Sequence, residues 1–456
     1  MIPSSTPPRP LRFYHWYSVS LLMLAYVFSF VDRQILYLMI EPIKVDLAIT
    51  DTQFSLLSGL AFSLFYAVMG LPIAYLSDRY SRVHIIAIGV SFWSLATAAC
   101  GLSKSFLQMF IARMAVGVGE AALTPASYSM LADLFPREKL GRALGIYSMG
   151  AFLGGGAAFL VGGYVIEILR SVPSVMLPLV GEVKPWQLAF IIVGLPGLFV
   201  ALAILATVRE PHRKAAIPSL TPGYLDAIHF LKDHRNTFLC HFLGFAFFAM
   251  CQYALVSWAP ALYIRKFGLT SSEAGYALGV ILLIFSTAGV FTGGWIVDML
   301  QKRGRTDAAL ISAMIGISGT CLFGMAATRV GDLSLSMMLI APAMFFSSFP
   351  LSTAAAAIQV LAPNHLRAQL SAMFLLVSNI VGMGIGTTLV ALLTDKVFGS
   401  PKAVDSSMAI ILGLASIVCF TLLGCGRKHF RASLNTQAAS SCAVTAQQTP
   451  SSALSR

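Results

Sequence analysis

Residues Ala74–Arg82 have the sequence AYLSDRYSR, and residues Gly294–Gly304 have the related sequence GWIVDMLQKRG. In each copy an aspartate ends an apolar run four residues after a small residue, and basic residues follow it. Small residues let helices approach closely, and an aspartate at a helix end can accept hydrogen bonds from the N-terminus of a neighbouring helix. The alternative for either copy alone is a helix stop with a solvated charge. Because the motif occurs twice, we predict a duplicated chain with a gate at each copy.

Long apolar runs surround both copies of the motif. The 456-residue chain is 57% hydrophobic and 11% charged, with a mean hydropathy of +0.79, whereas soluble domains carry roughly 25% charged residues. A spanning helix needs about 20 apolar residues. Twelve such runs lie near residues 16–40, 53–76, 83–102, 106–131, 142–166, 186–208, 237–263, 274–299, 307–328, 332–361, 368–394 and 405–426. The sequence therefore excludes a soluble enzyme or DNA-binding protein and predicts an all-α integral membrane protein with twelve transmembrane helices in two six-helix bundles.

The distribution of basic residues predicts the orientation. Roughly two thirds of the 31 lysines and arginines fall in loops on the N-terminal side of the membrane, and positively charged loops remain in the cytoplasm. Both termini are therefore expected to be cytoplasmic, and no nucleic-acid partner is needed to explain the basic excess. No Asn-x-Ser/Thr acceptor site occurs, which favours a bacterial inner membrane. The predicted domains are a disordered tail (1–15), a six-helix bundle (16–208), a cytoplasmic linker with an amphipathic helix (209–236), a second six-helix bundle (237–426) and a disordered cytoplasmic tail (427–456).

Twelve spans in two sets of six, with the paired loop motif, resemble the major facilitator superfamily. Further matches are RMAVGVGEA (Arg113–Ala121) in the fourth span and DLFPREKLGRALGIY (Asp133–Tyr147) before the fifth. The chain departs from the family pattern where Ala74 replaces a glycine and Met299 replaces an arginine. FVDRQ (Phe30–Gln34), with the GxGEA of the fourth span, is similar to the Spinster family. That resemblance implies a proton-linked carrier of lysophospholipids or sphingosine phosphate.

Four ionisable residues lie deep in the predicted spans, and all are in the first half. They are Asp32, Arg33, Arg113 and Glu120, whereas the deep parts of spans seven to twelve contain no Asp, Glu, Lys or Arg. A charge at the bilayer centre costs at least a few kcal/mol, so each group must face a cavity or a partner. We expect Asp32 and Glu120 to bind the coupled proton, and Arg33 or Arg113 to compensate charge or bind a substrate headgroup. The alternative is a fixed ion-pair network between the first and fourth helices.

Aromatic side chains dominate the second half. The candidate substrate-cavity residues are Phe245, Gln252, Tyr253, Trp258, Phe346, Ser347 and Asn379. For any single aromatic residue, helix packing or lipid contact is the commoner role. As a set, a charged half facing an apolar half suits an amphipathic ligand, with its headgroup near Arg113 and Glu120 and its tail along the aromatic rings. A sugar or small dicarboxylate ordinarily needs polar groups on both sides.

The predicted function is proton-coupled secondary transport of a lysophospholipid or sphingoid phosphate by alternating access. The alternative is a carrier of drugs or small organic anions; an intramembrane enzyme or a channel is disfavoured, and the sequence contains no Walker, HExxH or GxSxG signature. The predicted cytoplasmic gate consists of Asp78, Arg79, Arg82, Asp133, Arg142 and Asp298. We expect no catalytic residue, metal or cofactor besides the coupling proton. The expected partners are the substrate and the lipid bilayer, and the protein is expected to be a monomer.

Overall fold

The structure is a computed structural model that describes residues 13–172, 174–177, 181–213, 224–363 and 366–448. The helices are α1 (Phe13–Leu38), α2 (Ile40–Leu47), α3 (Asp51–Ser55), α4 (Ala61–Arg79), α5 (Arg82–Cys100), α6 (Phe106–Glu120), α7 (Leu123–Leu134), α8 (Arg137–Arg170), α9 (Pro185–Gly194), α10 (Pro196–Thr207), α11 (Tyr224–Asp233), α12 (Arg235–Phe267), α13 (Ser271–Ile281), α14 (Thr287–Lys302), α15 (Ala308–Arg329), α16 (Leu333–Ser347), α17 (Pro350–Leu361), α18 (Arg367–Ser378), α19 (Thr387–Leu392) and α20 (Val404–Gln448). The π-helical segments are Leu56–Leu60, Leu282–Ser286, Asn379–Gly386 and Leu393–Val397, and a 3-10 turn covers Pro401–Ala403. Between α8 and α9, β1 (Val175–Leu177) and β2 (Gly181–Val183) form an antiparallel hairpin that the sequence did not predict.

Eleven helical stretches in the described part of the chain are long and apolar enough to cross a membrane. The predicted tenth span is divided between the shorter apolar helices α16 and α17. Pro350 is the first residue of α17, and its missing N–H is unneeded at a helix start. The paired helices supply the twelfth apolar segment, so the prediction of an all-α membrane protein with twelve transmembrane helices is confirmed.

The predicted fourth span is also interrupted. α6 ends at Glu120 and α7 begins at Leu123. Pro125, at the third position of α7, has no N–H to donate, and its ring clashes with the carbonyl of the residue four positions earlier, which is Ala121. The helix therefore ends directly after a candidate site residue.

The described residues form two compact units. The first contains the described residues of Met1–Ile217 together with Ser257–Ile284 and Ala391–Lys402. Within it, α1 packs along α8, α5 along α6, and α13 against α8. A Cβ added to Gly119 would lie 2.8 Å from the Cβ of Trp93, so the glycine allows α5 to lie directly against the end of α6.

The second unit is described separately. It contains the described residues of Pro218–Val256, Phe285–Val390 and Ala403–Arg456. Within it, α15 packs against α16 and α20, and α14 packs against α15 and α17. Its core is mostly aliphatic and aromatic, with buried serines and threonines that donate to helix carbonyls.

The last helix is longer than the sequence predicted. Residues 427–448 are helical, where we expected a disordered tail. At the start of this extension, Arg427 and Arg431 pair with Asp307. Within the predicted linker, α11 forms a helix. Residues 1–12, 214–223 and 449–456, which include most of the remaining tail and linker predictions, lie outside the described residues.

Candidate functional site

Helices α1 and α6 bring together the four charged residues that were predicted in the first half. Arg33 Nη2 lies 2.5 Å from Glu120 Oε2 and thereby links the two helices. Arg113 Nη1 donates to the backbone carbonyl oxygen of Asp32 at 3.3 Å. Asp32 and Arg113 are 0% exposed, and Glu120 is 2% exposed. The structure therefore contains one ion pair between α1 and α6, as in the alternative that the sequence left open. Asp32 and Arg113 lie beside this pair but are not part of it.

The side chains of Asp32 and Arg113 have unmatched polar atoms. Among the described residues, neither carboxylate oxygen of Asp32 accepts a hydrogen bond, and Nε and Nη2 of Arg113 donate none. The indole N–H of Trp93 and the hydroxyl group of Thr97, both in α5, face Asp32 as donors without reaching full hydrogen-bond geometry. Buried polar groups are ordinarily hydrogen-bonded. This site therefore has donors and acceptors for a proton, water or a ligand.

An aromatic ring lies beside both arginines. The guanidinium carbon of Arg33 is 4.2 Å from the ring centroid of Phe62, and that of Arg113 is 5.8 Å from the same centroid. A guanidinium group over an aromatic face is stabilised by the ring quadrupole. Phe62, Trp93 and Thr97 could not be selected from the sequence, because such residues are common in apolar spans.

Two residues of the predicted cytoplasmic gate meet in the first unit. Arg82, which is 1% exposed, pairs with Asp133 at 2.5 Å and with Glu210 at 2.7 Å. Burial raises the pKa of Glu210, but the hydrogen bonds from the Val83 backbone N–H and from Arg82 hold that pKa below its usual value. Glu210 was not predicted, because it follows the sixth span without a recognisable motif.

The other predicted gate residues differ in their surroundings. The guanidinium carbon of Arg79 lies 4.2 Å from the ring centroid of Tyr75. Arg142 and Asp298 are exposed, and neither belongs to the network around Arg82 among the described contacts. The side chain of Asp78 lies outside the described residues.

A second charged cluster, which the sequence did not predict, lies in the first unit. We call it the outer charge cluster, after the predicted outer side of the membrane, and it contains Glu41, Lys44, Asp51 and Arg265. Arg265 donates from both terminal nitrogens to Asp51 at 2.7 Å and from Nε to Glu41 at 2.6 Å. Lys44 also pairs with Asp51, which is 0% exposed. The cluster joins residues after the first span to the end of the seventh.

A second polar contact in the first unit, between Thr52 and Asp395, also joins residues that are far apart in the chain. The backbone N–H and the hydroxyl group of Thr52 donate to Asp395 Oδ2 at 2.6 and 2.7 Å. Trp258 also belongs here, because its ring lies 6.5 Å from that of Phe54 and 5.9 Å from the guanidinium carbon of Arg265. The predicted cavity residue Trp258 therefore packs beside the outer charge cluster.

The remaining predicted cavity residues lie in the second unit and form no single group there. Phe245 packs on Phe374, with ring centroids 6.2 Å apart, whereas Phe346 stacks on Phe323 at 5.8 Å. The hydroxyl group of Ser347 donates to the Met344 carbonyl within its own helix. The other three are partly exposed: Gln252, Tyr253 and Asn379.

His241 is a buried polar residue that the sequence analysis passed over. It is 3% exposed, and its Nε2 donates to the Ala354 carbonyl oxygen at 3.2 Å. Its ring centroid is 4.8 Å from that of Phe245 and 5.3 Å from that of Phe374. A histidine near the start of a span resembles a loop residue in sequence, so its burial was not predicted.

The apolar helices and the buried charges define a multi-pass membrane protein with ionisable groups inside its spans. Residues 22–387 match the model of the Major Facilitator Superfamily, and the chain belongs to that family. It is therefore a transporter and not an enzyme.

Individual relatives resemble the chain over most of its length. An MFS-type efflux pump from Mycolicibacterium smegmatis is 26% identical over 89% of this chain and 92% of its own. A hexuronate transporter from Bacillus subtilis is 25% identical over 87% and 92%. The solved structure of a bacterial homologue of the human lysosomal transporter Spinster, in an inward-facing, unoccupied conformation, matches with a TM-score of 0.76 and 27% identity over 94% of this chain and 98% of that one. The predicted resemblance to the Spinster family is thereby confirmed.

Proposed function

We propose that the protein is a proton-coupled secondary transporter of an anionic, amphipathic substrate, of the lysophospholipid or sphingoid phosphate class, that works by alternating access. We place it in a bacterial inner membrane, as a monomer with both termini in the cytoplasm. The observation that carries the proposal is the set of unmatched polar atoms on the buried side chains of Asp32 and Arg113. Ionisable groups inside a membrane are costly and mark substrate or proton pathways.

Asp32 is the proposed proton carrier. An ionised carboxylate that accepts no well-formed hydrogen bond is costly away from water, and one bound proton removes its charge. Glu120 has a different proposed role, because Arg33 already pairs with it at 2.5 Å. A proton on Glu120 weakens that pair and loosens the link between α1 and α6. In this proposal, a proton on Asp32 changes the charge of the site, and a proton on Glu120 changes the contact between α1 and α6.

Arg113 is the proposed binding group for the substrate headgroup. Its Nε and Nη2 atoms have no acceptor among the described residues, and a guanidinium fork matches the oxygens of a phosphate. The substrate class is the one that the resemblance of the sequence to the Spinster family implies.

A carrier of small organic anions is the second candidate. The hexuronate transporter and the efflux pump are similar to this chain over comparable lengths, and a carboxylate would also pair with Arg113. A hexuronate additionally needs partners for its hydroxyl groups. Gln252 and Asn379, both partly exposed, are the side chains that favour this candidate.

Proton coupling is tested in proteoliposomes with an imposed pH gradient. Asp32→Asn and Glu120→Gln are expected to lose gradient-driven substrate accumulation while exchange without a gradient continues. Glu182→Gln is the matched control, because it removes an exposed carboxylate in β2. If both site variants respond to the gradient as fully as the wild type, the coupling role is refuted.

Substrate class is tested by direct binding to the purified protein. Lysophosphatidylglycerol and sphingosine phosphate are expected to bind, and glucuronate is not. Arg113→Gln is expected to weaken binding about 10- to 150-fold, since hydrogen bonds to charged groups contribute about 1.5–3 kcal/mol. Binding of glucuronate without binding of either lipid would favour the organic-anion carrier instead.

A further inference from the structure

Asp307, the residue before α15, is surrounded by guanidinium groups in the second unit. Its Oδ2 accepts from Arg427 Nε at 2.6 Å and from Arg431 Nη2 at 2.8 Å, and its Oδ1 accepts from Arg305 Nε at 3.3 Å. An aspartate at this position usually caps its own helix, but the side chain of Asp307 accepts no hydrogen bond from the α15 backbone. Its carboxylate instead holds together three arginines from α20 and from the loop before α15.

The positive charge around Asp307 exceeds what one carboxylate neutralises. Residues 302–307 and 427–431 contain six lysines and arginines but a single acidic residue. The side chains of Arg305, Arg427 and Arg431 are 44%, 31% and 45% exposed. Each donates one hydrogen bond to Asp307, whereas a guanidinium group has five N–H donors. Exposed donors therefore remain on this surface for a further anion.

The charge surplus lies where a membrane headgroup would lie. Asp307 immediately precedes the candidate span Ala308–Arg329. In α20, Phe430 is 2% exposed, and Ser433 shares a hydrogen bond of 2.8 Å with Thr237, so the helix that carries two of the arginines is fixed against the unit. Clusters of basic residues at the end of a spanning helix attract anionic lipids by about 1 kcal/mol for each lysine or arginine.

We propose that Arg305, Arg427 and Arg431 bind the phosphate headgroup of an anionic membrane lipid, and that Asp307 holds the three side chains in position. The position at the end of a span favours a lipid over a soluble phosphate. This site is separate from the proposed transport function, because the lipid is a resident of the bilayer and not cargo. Failure of either proposal leaves the other standing.

The test uses the purified full-length chain in detergent, titrated with palmitoyl-oleoyl phosphatidylglycerol or phosphatidylcholine and measured by native mass spectrometry. The wild type is expected to bind phosphatidylglycerol in preference to phosphatidylcholine. The double variant Arg427→Gln/Arg431→Gln is expected to bind phosphatidylglycerol about 30-fold more weakly, which corresponds to about 1 kcal/mol for each charge. The matched control is Arg329→Gln, at the other end of α15, and its binding is expected to equal that of the wild type.

Three results would overturn the proposal. They are equal binding of the two lipids by the wild type, unchanged phosphatidylglycerol binding by the double variant, and displacement of the lipid by inorganic phosphate at the same concentration. The last would indicate a site for soluble anions. If the double variant does not fold, the proposal is tested with the wild type alone. Its preference for phosphatidylglycerol must fall as the concentration of sodium chloride is raised, because salt screens exposed charges. A preference that does not change with salt contradicts the proposal.

Discussion

Replacing Arg265 is expected to loosen the helices that the outer charge cluster holds together. Arg265 makes three hydrogen bonds of 2.6–2.7 Å to Asp51 and Glu41, and hydrogen bonds to charged groups contribute about 1.5–3 kcal/mol each. Asp51 keeps Lys44 as a partner in the variant, and Glu41 is 36% exposed, so the full sum is not lost. We therefore expect Arg265→Gln to destabilise the arrangement of the cluster in this structure by about 3 kcal/mol, or roughly 150-fold in its equilibrium with an opened arrangement.

The assay is labelling of Ser58→Cys by a membrane-impermeant maleimide in an otherwise cysteine-free chain. Ser58 is 2% exposed in this structure, so its replacement is expected to react slowly until the outer side opens. Arg265→Gln should raise the labelling rate at least tenfold, and Arg265→Lys should have a smaller effect, because lysine keeps the charge but not the two-pronged contact with Asp51. Arg329→Gln removes an exposed pair with Asp405 and should leave the rate unchanged.

A gating role of the outer charge cluster is refuted if Arg265→Gln folds, keeps the thermal stability of the wild type and labels at the wild-type rate. Such a result would mean that the outer charge cluster does not limit opening. Lost stability without faster labelling would give the cluster a purely structural role and would equally contradict a gating function.

Two further predictions concern stability. Burial raises the pKa of Asp307, but the hydrogen bonds from its arginines outweigh this effect and lower the pKa from 3.8 to about 2. The stabilisation from these hydrogen bonds is therefore present above pH 4 and is lost as the pH falls toward 2. The melting temperature of the wild type should fall more over this pH range than that of Asp307→Asn. Gly119→Ala should lower the melting temperature at neutral pH, because its Cβ would lie 2.8 Å from Trp93 and overpacking costs about 1–3 kcal/mol. Gly145→Ala is the matched control in α8, where an added Cβ meets nothing within 4 Å, and it should be neutral or stabilising; equal losses in the two variants would contradict the packing argument.

The apolar runs were sufficient to predict the membrane fold, because a spanning helix is recognisable from one continuous segment. The breaks within spans were harder to predict. Pro125 lies inside an apolar run, and whether it kinks or ends the helix depends on the packing around Ala121. The charged residues of α1 and α6 could also be predicted from one continuous segment. A charge inside an apolar run is recognisable in the sequence even when its partner is unknown.

Residues that act through long-range pairing were not predictable. Glu210 and Arg265 follow or end spans, where charged residues are common in loops. Their importance depends on Arg82 and Asp51, which are 128 and 214 positions away in the chain. Periodicity and local motifs contain no information on contacts of that separation, so the outer charge cluster appears only once the fold is known.

The structure also separates two carboxyl groups that the sequence treated as equivalent. Glu120 is paired with Arg33 at 2.5 Å, so a change in its charge acts on the link between α1 and α6. Asp32 has no such pair among the described residues, so a change in its charge acts mainly on Arg113, which donates to its backbone carbonyl. A fixed network would need both acids matched to both arginines, and only one pair is matched. The arrangement therefore makes Asp32 the more freely exchangeable charge and ties any protonation of Glu120 to the link between α1 and α6, so Asp32→Asn should alter proton coupling with less effect on stability than Glu120→Gln.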